Sequence, residues 1–290
     1  MYAVQSVMII EMSATNNTIH STTATSADSA FQSVPRVSLF GMPVAPSTMS
    51  ETLDLCGEVI TSRQVMHIGV INAAKVVNSR KDPVLRDSVL ASDIIYADGM
   101  AVVWASRFLG RPLPERVAGI DIMMGLLERG DQHGYRVFLL GAKEAISEEV
   151  ERRIQRDYPG VNVVGRRNGY FNDDEEAAIV DDIAACNPDI LFVAITSPKK
   201  ERFLAKWADQ IGAHIYHGVG GSFDVYAGFV ERAPERWQKL GLEWLYRVKQ
   251  EPRRLWKRYL VTNVGFLWLT LKERFVRTKP TQIGNSSAGM

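Results

Sequence analysis

The chain has 290 residues, 46% hydrophobic and 23% charged, with 34 basic against 33 acidic side chains and a formal charge of +1. That length supports a substantial core, the composition is too apolar for a disordered protein, and the near balance of charge argues against a nucleic-acid binder. Two cysteines, Cys56 and Cys186, make no disulfide framework and fit a reducing cytoplasm, and no run of about 20 apolar residues offers a membrane span.

Residues 1–50 are expected to form a disordered leader. Between Ser13 and Ser33 nearly every second residue is Ser or Thr, and the few apolar residues keep no period. The short apolar opening lacks the basic flank of a secretory signal. From residue 51 to 230 short β-branched runs alternate with helical segments. Strands are predicted over 66–71, 94–97, 136–140, 162–164, 190–195 and 214–219, and helices include 83–91, 101–108, 144–158, 174–186 and 199–211. Asp82-Pro83 gives an N-cap followed by proline at the first helical position, and residues 173–176 place four anions at a helix start. Such alternation predicts an α/β, Rossmann-like parallel sheet with flanking helices. Residues 231–279 carry 13 Lys/Arg against 5 Asp/Glu and four of the six Trp, and Pro252 divides them into helices over 235–250 and 253–277. This C-terminal helical appendage, basic at both ends with Trp256, Tyr259, Phe266 and Trp268 within it, suits an anionic membrane surface; packing on the domain or on a second subunit is the alternative. Residues 280–290 read as a flexible tail.

Ligands of an open parallel sheet bind beyond the carboxyl ends of its strands. Asn72 leaves one strand, as a ligand contact or as a helix N-cap. Asp98 leaves another ahead of Gly99 and a helix; partial desolvation there would raise its pKa and suit a general base, with an N-cap again the alternative. Gly141 ends a strand in a turn whose bare amides suit a diphosphate, although the pattern G-x-G-x-x-G is missing. Gly218-Val219-Gly220-Gly221 reads alone as a tight structural turn; the alternative is backbone that approaches a flat ligand, with Asp224 placed to accept hydrogen bonds from a ribose or base. Arg116, Lys199, Lys200 and the basic C-terminal segment are candidates to stabilise a departing anion. No metal and no cofactor is expected: His214 and His217 lie three apart on a strand and face opposite sides, and no Cys or Asp-x-Asp pair has ligand spacing. A nucleotide-dependent oxidoreductase and a non-catalytic, membrane-peripheral nucleotide-binding module stay open on these residues alone.

Several longer blocks carry a resemblance. Residues 71–78 (INAAKVVN), 96–100 (YADGM), 111–119 (RPLPERVAG), 197–201 (SPKKE), 218–228 with Gly-Ser-Phe-Asp at its centre, 232–234 (RAP), 241–247 (GLEWLYR) and 250–254 (QEPRR) are together similar to the WecG/TagA/CpsF bacterial glycosyltransferases. The resemblance spans about residues 50–275. It implies an inverting, metal-independent transfer from a UDP-sugar to a polyprenyl-diphosphate-linked saccharide, in exopolysaccharide, capsule or cell-envelope polysaccharide synthesis. The enzyme would lie on the inner face of the plasma membrane and tend to self-associate. It also implies Asp98 as the general base, Arg116 as a diphosphate or sugar contact, Asp224 as a nucleotide contact, and Arg247 and Arg254 closing over the site, with Lys257 where Arg is common. Asn72 would orient the sugar. Two positions depart from the family's pattern: Val70 stands where some members have Thr, and Lys200 where Gln is usual.

Overall fold

The computed structural model describes residues 29–196 and 198–276. It opens with strands β1 (Val37–Leu39) and β2 (Met42–Val44), joined by Phe40 and Gly41, both at positive φ (55° and 74°) as a type I′ hairpin turn requires. Leu39, Phe40, Met42 and Val44 are buried. The disordered leader expected as far as residue 50 therefore does not extend through this hairpin. Three-residue strands, one containing Pro43, carry no periodic signal, and it is tertiary burial that orders them. Residues 1–28, with most of the Ser/Thr-rich stretch, and the expected tail at 280–290 lie outside the described residues.

Helix α1 (Met49–Thr61) follows, started by a capping box between Thr48 and Glu51. The next elements are β3 (Met66–Ile71), α2 (Ala73–Asn78), α3 (Pro83–Leu90), β4 (Ile94–Ala97), α4 (Met100–Phe108) and α5 (Gly119–His133). Then come β5 (Arg136–Gly141), α6 (Glu144–Asp157), β6 (Asn162–Arg167), a 3₁₀ turn (Asp173–Glu175) and α7 (Glu176–Ala185). The remainder of the sheet domain is β7 (Ile190–Ala194), α8 (Lys199–Ile211), β8 (Ile215–Gly218) and α9 (Ser222–Tyr226). The six strands β3 to β8 form one parallel sheet in the order β4-β3-β8-β7-β5-β6. This is the α/β, Rossmann-like fold that the alternation predicts. Every predicted strand is present, β6 extending to Arg167, whereas α1 and α5 are not among the predicted helices.

Strand side chains alternate between two faces. Ile94 and Tyr96 pack with α1 and α5 on one side, and Ile95 and Ala97 with the hairpin, α2 and α4 on the other. Burial on both faces explains why the strands are short, nearly continuous apolar runs.

The C-terminal segment forms α10 (Glu235–Lys239), α11 (Glu243–Gln250) and α12 (Pro252–Phe275). The single helix expected over 235–250 is broken at Gly241, which has φ 63°. A Cβ there would lie 2.6 Å from the Trp104 ring and 2.9 Å from Met100 Cβ. Gly241→Ala is therefore expected to destabilise the fold by about 1–3 kcal/mol from backbone strain alone, measurable as a lower midpoint of urea unfolding.

Helix α12 lies on α2 and buries Leu255, Thr262, Phe266 and Thr270. Phe266 packs 5.0 Å from the Phe40 ring, and Glu273 accepts the Phe40 N–H at 2.9 Å and an Arg111 N–H at 3.1 Å. The opposite side of α12 is also apolar: Leu260, Val264, Leu267, Trp268 and Leu271 are exposed at helical spacing. No helix among the described residues is long and apolar enough to cross a membrane.

Candidate active site

Between the neighbouring strands β3 and β8 the connections leave on opposite faces of the sheet, α2 on the hairpin side and α9 on the α5 side. That divergence opens a crevice over the carboxyl ends of β4, β3 and β8. Helices α10, α11 and α12 roof it. The resulting cleft, of about 320 Å³, is lined among others by Asn72, Asp98, Arg116, Gly221, Glu243 and Arg247, and on the α12 side by Arg258 and Tyr259.

Asp98 sits at the end of β4, its main-chain N–H held by the Ile71 carbonyl at 2.8 Å. Its carboxylate does not cap α4, whose N-cap is Gly99 without a side-chain bond. Oδ1 instead accepts the Gly119 N–H at the start of α5 at 3.2 Å, and Oδ2 faces Asn72 Nδ2 at 3.5 Å. Burial raises the pKa of Asp98 and the Glu243 carboxylate adds to this, while Arg116, Lys75 and the Gly119 N–H oppose them. Of the two readings of Asn72 the N-cap is seen: its Oδ1 caps α2 through the Lys75 N–H at 3.0 Å, while its amide nitrogen points at Asp98. Below them the buried His217 has its Nε2 2.8 Å from the Gly119 carbonyl. Burial pushes this imidazole down to about 4, so it is neutral near pH 7 and steadies the loop that presents Gly119 to Asp98.

Arg116 is largely buried and fully engaged. It donates to Glu243 and Asp121 at 2.8 Å each and to Gln238 at 3.4 Å, and Asp121 is shared with Arg232. Arg247 lies 3.6 Å from the other oxygen of Glu243. The guanidinium that would meet a diphosphate is thus paired with a carboxylate of the C-terminal segment, which an incoming anion must displace.

Other candidates fall at the border of the cleft or away from it. Lys200 is nearly buried beside Glu201, and a Cβ on Gly218 would come within 2.8 Å of its Nζ, so it lies against the end of β8. Gly220 precedes Gly221 in the same turn, at φ 51°. Lys199 is committed elsewhere: it donates to the Phe171 carbonyl and lies 3.7 Å over the Phe171 ring. Asp224 stands one residue before the cleft-lining Val225, and its main-chain carbonyl closes the turn after α9 by accepting from Phe229 and Val230. Gly141 is not brought to the cleft. It lies on β5, beyond β7, where φ 127° and the Ala194 carbonyl 2.5 Å from a would-be Cβ make it a packing glycine. Arg254 is exposed and paired with Glu251, and Lys257 is exposed on α12; neither lines the cleft.

Sequence reasoning misses Glu243, Gln238, His217, Arg258 and Lys75 as parts of this site. For Lys75 a signal exists: a cation in the first turn of a helix opposes the helix dipole and needs another reason to be there. Among the described residues no group of three His, Cys, Asp or Glu side chains is placed to share a metal ion.

Over 199 residues, covering 68% of this chain and 76% of the relative, the sequence is 39% identical to the N-acetylglucosaminyldiphosphoundecaprenol N-acetyl-beta-D-mannosaminyltransferase of Bacillus spizizenii strain W23. Residues 37–280 match the glycosyl transferase WecG/TagA/CpsF family, and the chain, an enzyme that transfers a sugar, belongs to that family.

Proposed function

We propose that this enzyme moves a sugar from a UDP-sugar to a polyprenyl-diphosphate-linked saccharide, with inversion and without a metal ion, in the synthesis of an exopolysaccharide, capsule or other envelope polysaccharide. The observation that carries the reading is Asp98: a sheltered carboxylate with a raised pKa, at the end of a strand and facing a cleft lined by arginines. The acceptor hydroxyl gives its proton to Asp98 as its oxygen attacks the anomeric carbon. The bond from that carbon to the diphosphate oxygen breaks, and UDP leaves with the electron pair. A single in-line displacement inverts the anomeric centre. Arg116, released from Glu243, together with Arg247 and Arg258, offsets the charge gathering on the diphosphate, a task a divalent ion would otherwise fill. The relative's name, which includes a diphosphoundecaprenol acceptor, supports a lipid-linked acceptor here. The exposed apolar side of α12, flanked by basic residues, supports peripheral attachment to the anionic inner leaflet, where that acceptor lies.

A UDP-release assay across several UDP-sugars, each with lipid-diphosphate mono- and disaccharide acceptors, tests this. Release that requires both a UDP-sugar and a lipid-linked acceptor and persists in a chelator is expected. Release that needs an added divalent ion, or no release with any pair, sinks the proposal.

A further inference from the structure

Behind the cleft the fold gathers a second set of charges that the transfer step above leaves unused. Lys75 stands in the first turn of α2, and its Nζ bends back to donate to the Val70 carbonyl at 2.8 Å, over the end of β3. Its own N–H holds Asn72 Oδ1 at 3.0 Å, and the Asn72 amide faces Asp98, so backbone and side chain together tie the lysine to the carboxylate's surroundings. From α8, Lys200 reaches the same region across Gly218, beside Glu201. Burial and the Lys200 charge push Lys75 down to about 8, while Asp98 and Glu201 hold it up. Lys75 therefore carries a proton at neutral pH and has little margin to spare.

The two cations near Asp98 are not equivalent. Arg116 divides its guanidinium between Asp121 and Glu243, and it lines the cleft, where a diphosphate competes for it. Lys75 gives its hydrogen bond to a neutral carbonyl and does not line the cleft. When a donor arrives, its diphosphate adds negative charge, draws on Arg116 and excludes water, and each of these disfavours an ionised Asp98. The groups facing Asp98 are then Glu243 from α11, Arg116 from the loop before α5, the Gly119 N–H, and Lys75 from α2. Those facing Lys75 itself are Asp98, with Lys200 and Glu201 from α8 and the neutral His217 from β8.

We propose that Lys75 is a positioning residue for the transfer reaction: its ammonium, fixed behind the cleft by the Val70 carbonyl, keeps the Asp98 carboxylate ionised when substrate has claimed Arg116. The role rests on Asp98 being the base, and two measurements separate the claims. The first is a ¹³C NMR titration of the Asp98 carboxyl in the full chain, labelled at aspartate Cγ and saturated with UDP, its resonance assigned by its loss in Asp98→Asn. The second is the pH profile of kcat for UDP release, which reports ionisations in the substrate complex. In Lys75→Met, or in Lys75→Gln should the first fold poorly, Asp98 is expected to titrate about one pH unit higher than in the wild type. Activity at the acid edge should then fall about tenfold and return to within about twofold of wild type near pH 9, because the base is restored simply by removing its proton. Lys75→Arg should keep the wild-type titration. An unmoved Asp98 titration in a folded Lys75→Met or Lys75→Gln protein overturns the proposal, as does a loss of activity equal at every pH. A moved titration with an unmoved kcat profile removes Asp98 from the mechanism, and the function of Lys75 with it.

Discussion

Asp98→Asn is expected to bind UDP within about twofold of the wild type and to lose transfer by about 10²–10⁴-fold, the range a general base commonly supplies. The amide is isosteric with the carboxylate and keeps an oxygen for the Gly119 N–H, now at 3.2 Å. Its NH2 meets the Asn72 amide nitrogen, so that 3.5 Å contact is lost, and the main-chain bond to the Ile71 carbonyl still holds the end of β4. What disappears is the site that takes the acceptor's proton. The wild-type pH profile should carry the same signature. Only ionised Asp98 can accept a proton, so activity rises as pH passes upward through its pKa and is lost as pH falls. Burial and Glu243 raise that pKa, which puts the acid limb above the ordinary aspartate value of about 3.9. Isothermal titration with UDP and initial rates across pH check both points. An Asp98→Asn enzyme within about tenfold of wild-type rate would exclude the carboxylate as base.

The second large effect concerns α12. Its outer side presents Leu260, Val264, Leu267 and Leu271 in line, with Trp256, Trp268 and Phe275 beside them, and Arg253, Arg254, Lys257, Lys272 and Arg274 stand at its two ends. Each large side chain moved from water into hydrocarbon stabilises binding by about 1.5–3 kcal/mol, and each basic residue near an anionic surface adds about 1 kcal/mol. Replacing Leu260, Val264 and Leu267 together with Glu removes three anchors and adds three like charges. Flotation with vesicles containing anionic phospholipid should weaken at least about 100-fold, while the inner side of the helix, and hence folding, is untouched. If the triple variant still floats, α12 is not the attachment surface. If instead the wild type is dimeric without vesicles and the variant monomeric, the outer side joins two copies of the chain.

How much of this is legible in the sequence depends on the range of the interactions. The sheet is plain because a strand buried on both faces must be an apolar run, as in Ile190–Ala194, and because Asp82 with Pro83 marks a helix start within three residues. The β1–β2 hairpin is opaque for the converse reason. Its strands are three residues long, and what orders Phe40 is α12. Helix α5 is hidden behind the Arg-Val-Ala-Gly block, which reads as a ligand motif although Gly119 is also the first residue of a helix. In the site, Asn72, Asp98 and Arg116 are identifiable one at a time, from strand ends and from motifs. Their pairings are not, since Arg116 finds Glu243 and Gln238 at separations of 127 and 122 residues. Gly141 misleads because a glycine after a strand signals a tight backbone equally well whether it serves a ligand or the neighbouring strand.

The bond from Phe40 to Glu273 joins groups 233 residues apart. Glu273 belongs to the helix whose Tyr259, Thr262 and Asn263 form one wall of the cleft. A ribosome delivers the chain from its N-terminus, so the hairpin, the sheet and Asp98 all emerge before that wall exists. Docking of α12 closes that wall beside Asp98 and sets its apolar outer side toward solvent in one event, after the sheet has been made. Until α12 is made, then, the nascent chain presents neither the finished cleft nor the apolar outer side of that helix, and the two arrive together.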